Sequence, residues 1–591
     1  MIFSSSSRSR SASSTGSPRG VMLLLVGALS LVACTCGSPP IDPFKADFQD
    51  TAVQINLMGS YPETPGSGLN PSPSFIEVRE KLRMIRDEPR AKGLLLRLGS
   101  SGGDFAQLRD LTALIKQIRE REKPVHCHFD RLDNAAYLFA IRACERLTMS
   151  PPGALDLVGY ASQLIYAAEL LENLDVRAEM IAIGKYKSAA ETLTEREMPA
   201  PTREVLTDIL DQYTTDLIDG LKERLGGGDA SKLLDEGPFL AKHALDRGLV
   251  DELEYLDEAR EALKKAAGID RLSVVPLIEE SAPPSLGDLF AMGRQQKLEL
   301  PEPYLAVVSL RGNILDGARS DSANIYAASV VKRLEELSAD PNAKGVLVRI
   351  SSPGGSALAS DLIYRALARL NEKKPVVISI GAVAASGGYY IAAAGREIFA
   401  AEESIIGSIG VIGGKLELSA LMEKLGVRVE TMKRGENSAY MSPLTPFSAS
   451  EREALERQLR GIYDLFIDRV AEGRGKSREE IEAVAEGRVY TAKQGLPLGM
   501  VDRIGGFEEA LARALELANL EPKATIRFFP ERKDLLTELS ELLSVGATPD
   551  VQTQALLLSL PTGVRESAEW LALFGSSEGV FARLPYELRI Q

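Results

Sequence analysis

"AKGVLVRISSPGG", Ala343–Gly355, is an apolar run closed by a Ser/Pro/Gly turn, and it occurs twice: "AKGLLLRLGSSGG" stands 252 residues earlier, at Ala91–Gly103. Two further pairs keep that spacing. "LLENLDVRAEM" (170–180) meets "LMEKLGVRVETM" (421–432), and "AKHALDRGLVDEL" (241–253) meets "AKQGLPLGMVDRI" (492–504), both at an offset of 251. An offset constant to about one residue over so long a span indicates two copies of one domain. Within the second copy, β-rich runs ("YLAVVSLRG", "GVLVRISS", "PVVISIGAV", "EIFAA") alternate with amphipathic helical patterns ("SVVKRLEELSAD", "DLIYRALARLNEKK"). Strands separated by helices imply βαβ units, so each copy is expected to be an α/β domain. The copies are placed at 51–270 and 301–525, joined by a Pro-containing linker over 271–300. A tail over 526–591, with no readable function, is expected to hold short helices and a loop.

The 591 residues can bury sizeable cores, and the net charge of −14 without basic clusters argues against a nucleic-acid partner. The amino terminus is of another kind. A polar segment carrying Arg8, Arg10 and Arg19 precedes "VMLLLVGALSLVA" and Cys34, the layout of a secretory signal with an h-region short for a membrane span. "LVAC", Leu31–Cys34, looks like a bacterial lipobox: residues 1–33 would be removed, Cys34 would take the lipid, and 34–50 would be a tether. An uncleaved anchor and a plain signal cut later are the alternatives. Each puts the bulk of the chain outside the cytoplasm, where Cys127 and Cys144 are free to pair. In "HCH", His126 and His128 would share one strand face with no third ligand in view, so a structural role is expected and no metal or other cofactor.

Chemistry concentrates in "GAVAASGGYYIAAAG", Gly381–Gly395. The run from "PVVISI" into "SGG" reads as a strand turning sharply into a helix, which lifts the Ser386 hydroxyl out of the turn and leaves N–H groups for an oxyanion. A nucleophilic serine needs a base, and the chain has only three histidines. The duplication narrows the search. Ser386 falls on Asn134 in the first copy, whereas "GKYKSA" (184–189) carries Lys187 where "GENSA" (435–439) has Asn437 or Ser438. One copy keeps a hydroxyl and the other an amine, as a single site shared between the copies would leave them.

Together, the tandem copies, "SSPGG", "AASGGYY", "GSIGV" (407–411) and "GKYKSAAE" resemble the long form of the signal peptide peptidase A (protease IV) family, over about residues 51–525. The resemblance implies a crotonase-like fold shared with caseinolytic protease and a Ser/Lys dyad assembled across the two copies. It makes Ser386 the nucleophile, Lys187 the general base and Ser408 the hydroxyl that orients the amine, with the Gly354 and Gly387 N–H groups as oxyanion hole. A lysine of ordinary pKa needs roughly 4.6 kcal/mol to stand neutral at pH 7, so Lys187 must be desolvated. The implied activity is endopeptidase cleavage of remnant signal peptides and other hydrophobic peptides after export, by a homotetramer. The chain would be held to the membrane by lipid, with its catalytic domains in the periplasm. Thr35 stands where an aspartate marks inner-membrane retention, which leaves the outer membrane open. Two other readings stand beside this one: a non-catalytic, membrane-tethered scaffold of the same fold, and an acyl-CoA enzyme, which export from the cytoplasm disfavours.

Overall fold

In the computed structural model the described residues are 49–59, 61–63, 73–100, 104–227, 230–277, 302–318, 324–530 and, for the backbone, 580–583. The signal segment, Cys34 and most of the linker lie outside them.

The first copy is built on β1 (Thr51–Leu57), α1 (Phe75–Asp87), β2 (Ala91–Leu98), α2 (Phe105–Arg119), β3 (Val125–Asp133), α3 (Asn134–Ala143) and β4 (Arg146–Asp156). Strands β1 to β4 pair in parallel. The short strands β6 (Phe239–Leu240), β7 (Glu252–Leu253) and β8 (Leu272–Val274) complete a seven-stranded sheet. One strand, β5 (Arg177–Ile183), leaves this sheet altogether. β2 reads "AKGLLLRL" rather than alternating because a parallel strand is covered on both faces. Helix starts are set by side chains: Ser74 and Glu77 form a capping box ahead of α1, and Asp133 accepts from the Ala136 N–H at the start of α3.

The second copy repeats the plan with β9 (Tyr304–Arg311), β12 (Ala343–Ser352), β14 (Val376–Ala385) and β16 (Ile405–Gly407) at the centre of an eight-stranded sheet. Between them lie β10 (Asn313–Leu315), β11 (Asn324–Tyr326), β13 (Gly354–Ser356), α4 (Ala357–Asn371) and α5 (Gly387–Ala392). β15 (Glu397–Ala400), β17 (Val411–Glu417), β18 (Val489–Thr491), β19 (Arg503–Ile504), α6 (Phe507–Leu517) and β20 (Thr525–Phe529) follow. The tail departs from expectation. β20 adds in parallel to β9, and a final strand, β21 (Val580–Arg583), pairs with β13 and β17, so the described parts of the segment expected as helix and loop are strands. Backbone pairing to an open sheet edge decides this, and edge vacancies do not show in local sequence.

The halves share a core. Leu305, Val307, Leu347, Val377 and Phe507 of the second copy pack in one cluster with Phe75, Leu111 and Ile115 of the first. Into this seam β12 projects Arg349, buried, with Nη2 3.0 Å from Asp110 Oδ2 and Nε 3.3 Å from Glu63 Oε1. Asp104 adds a third, partly buried carboxyl to the group around one guanidinium. With one cation among three acids, burial pushes Asp110 up to about 7 although Arg349 opposes it. The second tie is an antiparallel ladder in which β17 pairs residue by residue with β5, from Val411 opposite Ile183 to Glu417 opposite Arg177.

Asp110 titrates in the unfolded chain near 3.8 and in the folded protein near 7. The folded state therefore holds an extra proton between those values, and stability from this group falls as pH rises from about 4 to about 7, then levels off. Asp110→Asn is expected to remove that slope, checked by urea midpoints of both proteins from pH 5 to 8.

Candidate active site

Ser386 sits between β14 and α5 with φ +52° and ψ −117°, a strained backbone for a residue with a side chain. Its N–H donates to the Gly407 carbonyl at 2.7 Å, and its carbonyl accepts from the Tyr390 N–H at 2.9 Å, the first bond of the helix. The glycines after it have a use. A Cβ at Gly388 would stand 2.6 Å from the Ser352 carbonyl, so the helix start lies directly against the end of β12. The expected strand-to-helix turn is thus present, and the hydroxyl it carries is fully buried.

Lys187 reaches that hydroxyl from the other copy. Its Nζ lies 2.7 Å from Ser386 Oγ, 3.0 Å from Ser408 Oγ and 3.0 Å from the Ser408 carbonyl. A neutral amine has two hydrogens and one lone pair, which fits these three partners. An uncharged amine in this place would donate to the carbonyl and to Ser408 Oγ and accept from the Ser386 O–H. Burial holds the amine well below its ordinary pKa, with no carboxylate among the described residues opposing it. Ser408, at φ +55°, is fixed by its N–H donating to the Arg488 carbonyl at 2.7 Å.

The lysine's seat is a feature the sequence reading missed. β5 delivers the chain to Gly184, after which the Tyr186 N–H donates to the Glu486 carbonyl at 2.7 Å. Gly487, at φ +77°, donates its N–H to the Ile409 carbonyl at 2.8 Å. A Cβ on Gly487 would stand 2.5 Å from the Lys187 backbone nitrogen, and one on Gly410 would stand 3.1 Å from Lys187 Cδ. Two second-copy glycines therefore let the first-copy loop through. Gly410 lies in the quoted "GSIGV" run, but nothing local ties Gly487 to a lysine 300 positions away.

Of the expected oxyanion donors, Gly387 is the first residue of α5, where an N–H has no partner within the helix. Gly354 is at φ +106°, and its N–H donates to Ser352 Oγ at 3.1 Å. The counterpart of Ser386 is built differently: Asn134 Oδ1 accepts from the Val158 and Gly159 N–H groups and its Nδ2 donates to the Gly159 carbonyl, so it ties one loop down. In "HCH", Cys127 forms a disulfide with Cys144, and the His128 ring lies between the Thr148 and Ser150 hydroxyls. Among the described residues no group of three or more His, Cys, Asp or Glu is placed to hold a metal.

With this geometry in hand, comparison with known proteins is specific. The profile of peptidase family S49 matches the chain twice, at residues 117–270 and 368–521, and that of Clp protease matches 317–406. Protease 4 of Haemophilus influenzae is 27% identical over 569 residues, covering 94% of this chain and 89% of that protein. The chloroplastic serine protease SPPA of Arabidopsis thaliana is 27% identical over 486 residues, 81% of this chain and 71% of that one. A putative signal peptide peptidase SppA of Enterococcus faecium is 39% identical over 211 residues, 34% of this chain and 60% of that one.

A buried amine kept neutral costs stability wherever the unfolded chain would hold the proton. Lys187→Met is therefore expected to raise stability at pH 7 by about 1 kcal/mol. The gain should shrink as pH climbs toward the ordinary lysine value, since the wild-type folded state alone becomes relatively more stable over that window. Chemical denaturation at pH 7 and pH 10 checks both.

Proposed function

The chain belongs to peptidase family S49, and from that premise we propose that it is a serine endopeptidase in which Ser386 is the nucleophile and Lys187 the general base. One observation carries the reading: two groups from opposite copies meet at 2.7 Å in a buried pocket, where desolvation lowers the pKa of the amine. As Ser386 Oγ attacks a peptide carbonyl, its proton passes to Lys187 Nζ, and the ammonium then gives it to the departing amine. Water, deprotonated by the same lysine, releases the acyl group from the serine. Ser408 holds the amine in line through both cycles. The Gly387 N–H receives the developing oxyanion, and the Gly354 N–H joins it by exchanging Ser352 Oγ for the stronger, charged acceptor.

Hydrophobic peptides, remnant signal peptides among them, are the proposed substrates. The name of the Enterococcus faecium relative supports this, as do β13 and β17, whose facing edges both pair antiparallel with one extended strand, β21. Export with a lipid on Cys34, holding the domains at a bacterial membrane on the periplasmic side, is the proposed location. The Cys127–Cys144 disulfide supports an oxidising compartment, and no helix among the described residues is long and apolar enough to cross a membrane.

Assembly as a homotetramer is also proposed, and the duplication supports it. The β5–β17 ladder has a counterpart displaced by 251: residues 160–166 (411 − 251 to 417 − 251) against 428–434 (177 + 251 to 183 + 251). Neither segment forms a strand within the chain. Ile165, Val429 and Met432 are exposed there. A second copy of the chain, meeting these segments head to tail, would supply a partner, and contacts of this kind generate a ring when the rotation closes.

With full-length protein in detergent, a fluorogenic apolar peptide and a synthetic signal peptide are expected to be cleaved. Ser386→Ala and Lys187→Ala should each lose at least about 10³-fold in kcat. The wild-type rate should rise with pH along one limb whose midpoint lies well below 10.5, the ordinary lysine value. Unchanged activity in Lys187→Ala would rule out the dyad, and an inert parent would favour the scaffold reading. Independently, Val429→Pro should leave monomers by light scattering, because proline removes the ladder N–H.

A further inference from the structure

The turn that seats Lys187 contains an arginine whose side chain the dyad does not use. Three consecutive residues there, Gly487, Arg488 and Val489, meet three parts of the candidate site in order. Gly487 lies against the Lys187 backbone, and the Arg488 carbonyl accepts from the Ser408 N–H. Val489 stands opposite Gly407, whose carbonyl accepts from the Ser386 N–H. Whatever fixes this short run therefore fixes the serine, the lysine and the second hydroxyl relative to one another.

The Arg488 side chain ties the run to the first copy. Its Nη1 donates to Glu204 Oε1 at 2.5 Å and its Nη2 to Asp208 Oδ2 at 2.7 Å. The two acids stand four residues apart on the helix Ala200–Leu225, so they share a face and one planar guanidinium reaches both. The guanidinium carbon also lies 4.9 Å from the centre of the Tyr186 ring and 5.6 Å from that of Tyr490. Tyr186 immediately precedes Lys187, and its hydroxyl donates to Glu204 Oε2 at 3.4 Å. The other charges at the loop are Lys185, whose Nζ lies over the Tyr186 ring, and Glu486, whose Oε2 accepts from the Lys185 N–H at 3.0 Å. In the first copy the matching stretch, "EGPFL" (236–240) against "EGRVY" (486–490), has Pro238 in the arginine's place. The arginine thus stands only in the copy that carries the serine.

We propose that Arg488 is a positioning residue of this site: through Glu204, Asp208 and Tyr186 it clamps the lysine loop of one copy against the Ser408 turn of the other, and so keeps water from the lysine's pocket. This rests on the serine endopeptidase reading. Arg488 acts through its neighbours, since the partners of the amine are Ser386 Oγ, Ser408 Oγ and the Ser408 carbonyl. Burial is what lowers the affinity of that amine for a proton. A loosened clamp admits water, water favours the ammonium, and the share of enzyme with a free base falls at neutral pH.

The test is the pH–rate profile of the full-length protein in detergent on the fluorogenic apolar peptide, for wild type, Arg488→Ala, Arg488→Lys and the double variant Glu204→Gln/Asp208→Asn. Both acids are close to half-exposed, so the double variant is expected to fold even where Arg488→Ala does not. Arg488→Ala and the double variant should each move the midpoint of the rising limb up by about one pH unit, a loss of about tenfold below the midpoint that closes at high pH. Arg488→Lys keeps the charge but not the fork, and should fall between them and wild type. A direct effect of charge has a different signature: loss of Arg488 would raise the midpoint, whereas loss of the two acids would lower it. A midpoint lowered or unmoved in the double variant therefore overturns the inference. A wild type that cleaves, with every variant sharing its midpoint and losing rate equally at all pH values, also overturns it and leaves the protease reading standing. A wild type inert at every pH overturns both.

Discussion

A neutral lysine amine in a dry pocket is stable only if every one of its hydrogens, and its lone pair, has a partner in place before the amine arrives. Here the partners, Ser386, the Ser408 hydroxyl and the Ser408 carbonyl, belong to one copy of a duplicated domain and the lysine to the other. The seven-residue ladder between β5 and β17 is what brings them together, since it fixes the chain entering the Lys187 loop against the strand that leaves Ser408. Strand register is a one-residue matter: a slip would turn every side chain over and carry the lysine loop away from the serine. The site is therefore as precise as the seam, and the shared hydrophobic cluster and the Arg349 group make that seam part of a core rather than a surface contact.

Duplication explains why the two copies differ where they do. Once one seam completes a site, the equivalent position in each copy is released from chemistry and is kept only for structure. Asn134 shows the result, with its amide binding three backbone groups of one loop where Ser386 presents a hydroxyl. The loop matching Lys187 has gone further. Asn437 accepts a hydrogen bond from the Ser450 hydroxyl, in a segment that is largely exposed.

Much of this was legible in the sequence because it is local or repeated. The α/β class followed from alternating runs, the tandem arrangement from a constant offset, and the strained serine turn from "ASGG". Comparing the copies singled out Ser386 and Lys187, and the family resemblance, not the comparison, implied that they form a dyad. What stayed hidden depends on contacts between distant segments. Gly487 is one of many glycines until the Lys187 backbone is seen against it. Arg349 sits in an apolar strand with no hint that Glu63, Asp104 and Asp110 converge on it. The tail was misjudged for the same reason: β20 and β21 are strands only because β9, β13 and β17 offer them edges.

Placing Lys187 and Ser386, the proposed base and nucleophile, on separate copies has a physical consequence that a site contained in one domain would lack. A desolvated amine is basic toward a neighbouring hydroxyl only while its pocket stays closed to water; opened, Lys187 would take up a proton, and in the proposed dyad Ser386 would lose its base. The elements closing the pocket, β17, the Glu486–Gly487 turn and the loop after β5, are the same ones that join the copies. Separation of the seam would therefore disarm the serine at once, by solvation, without any change within either domain. For the proposed dyad this coupling confines reactivity to the assembled fold, because a partly folded chain would expose the serine without a desolvated lysine beside it.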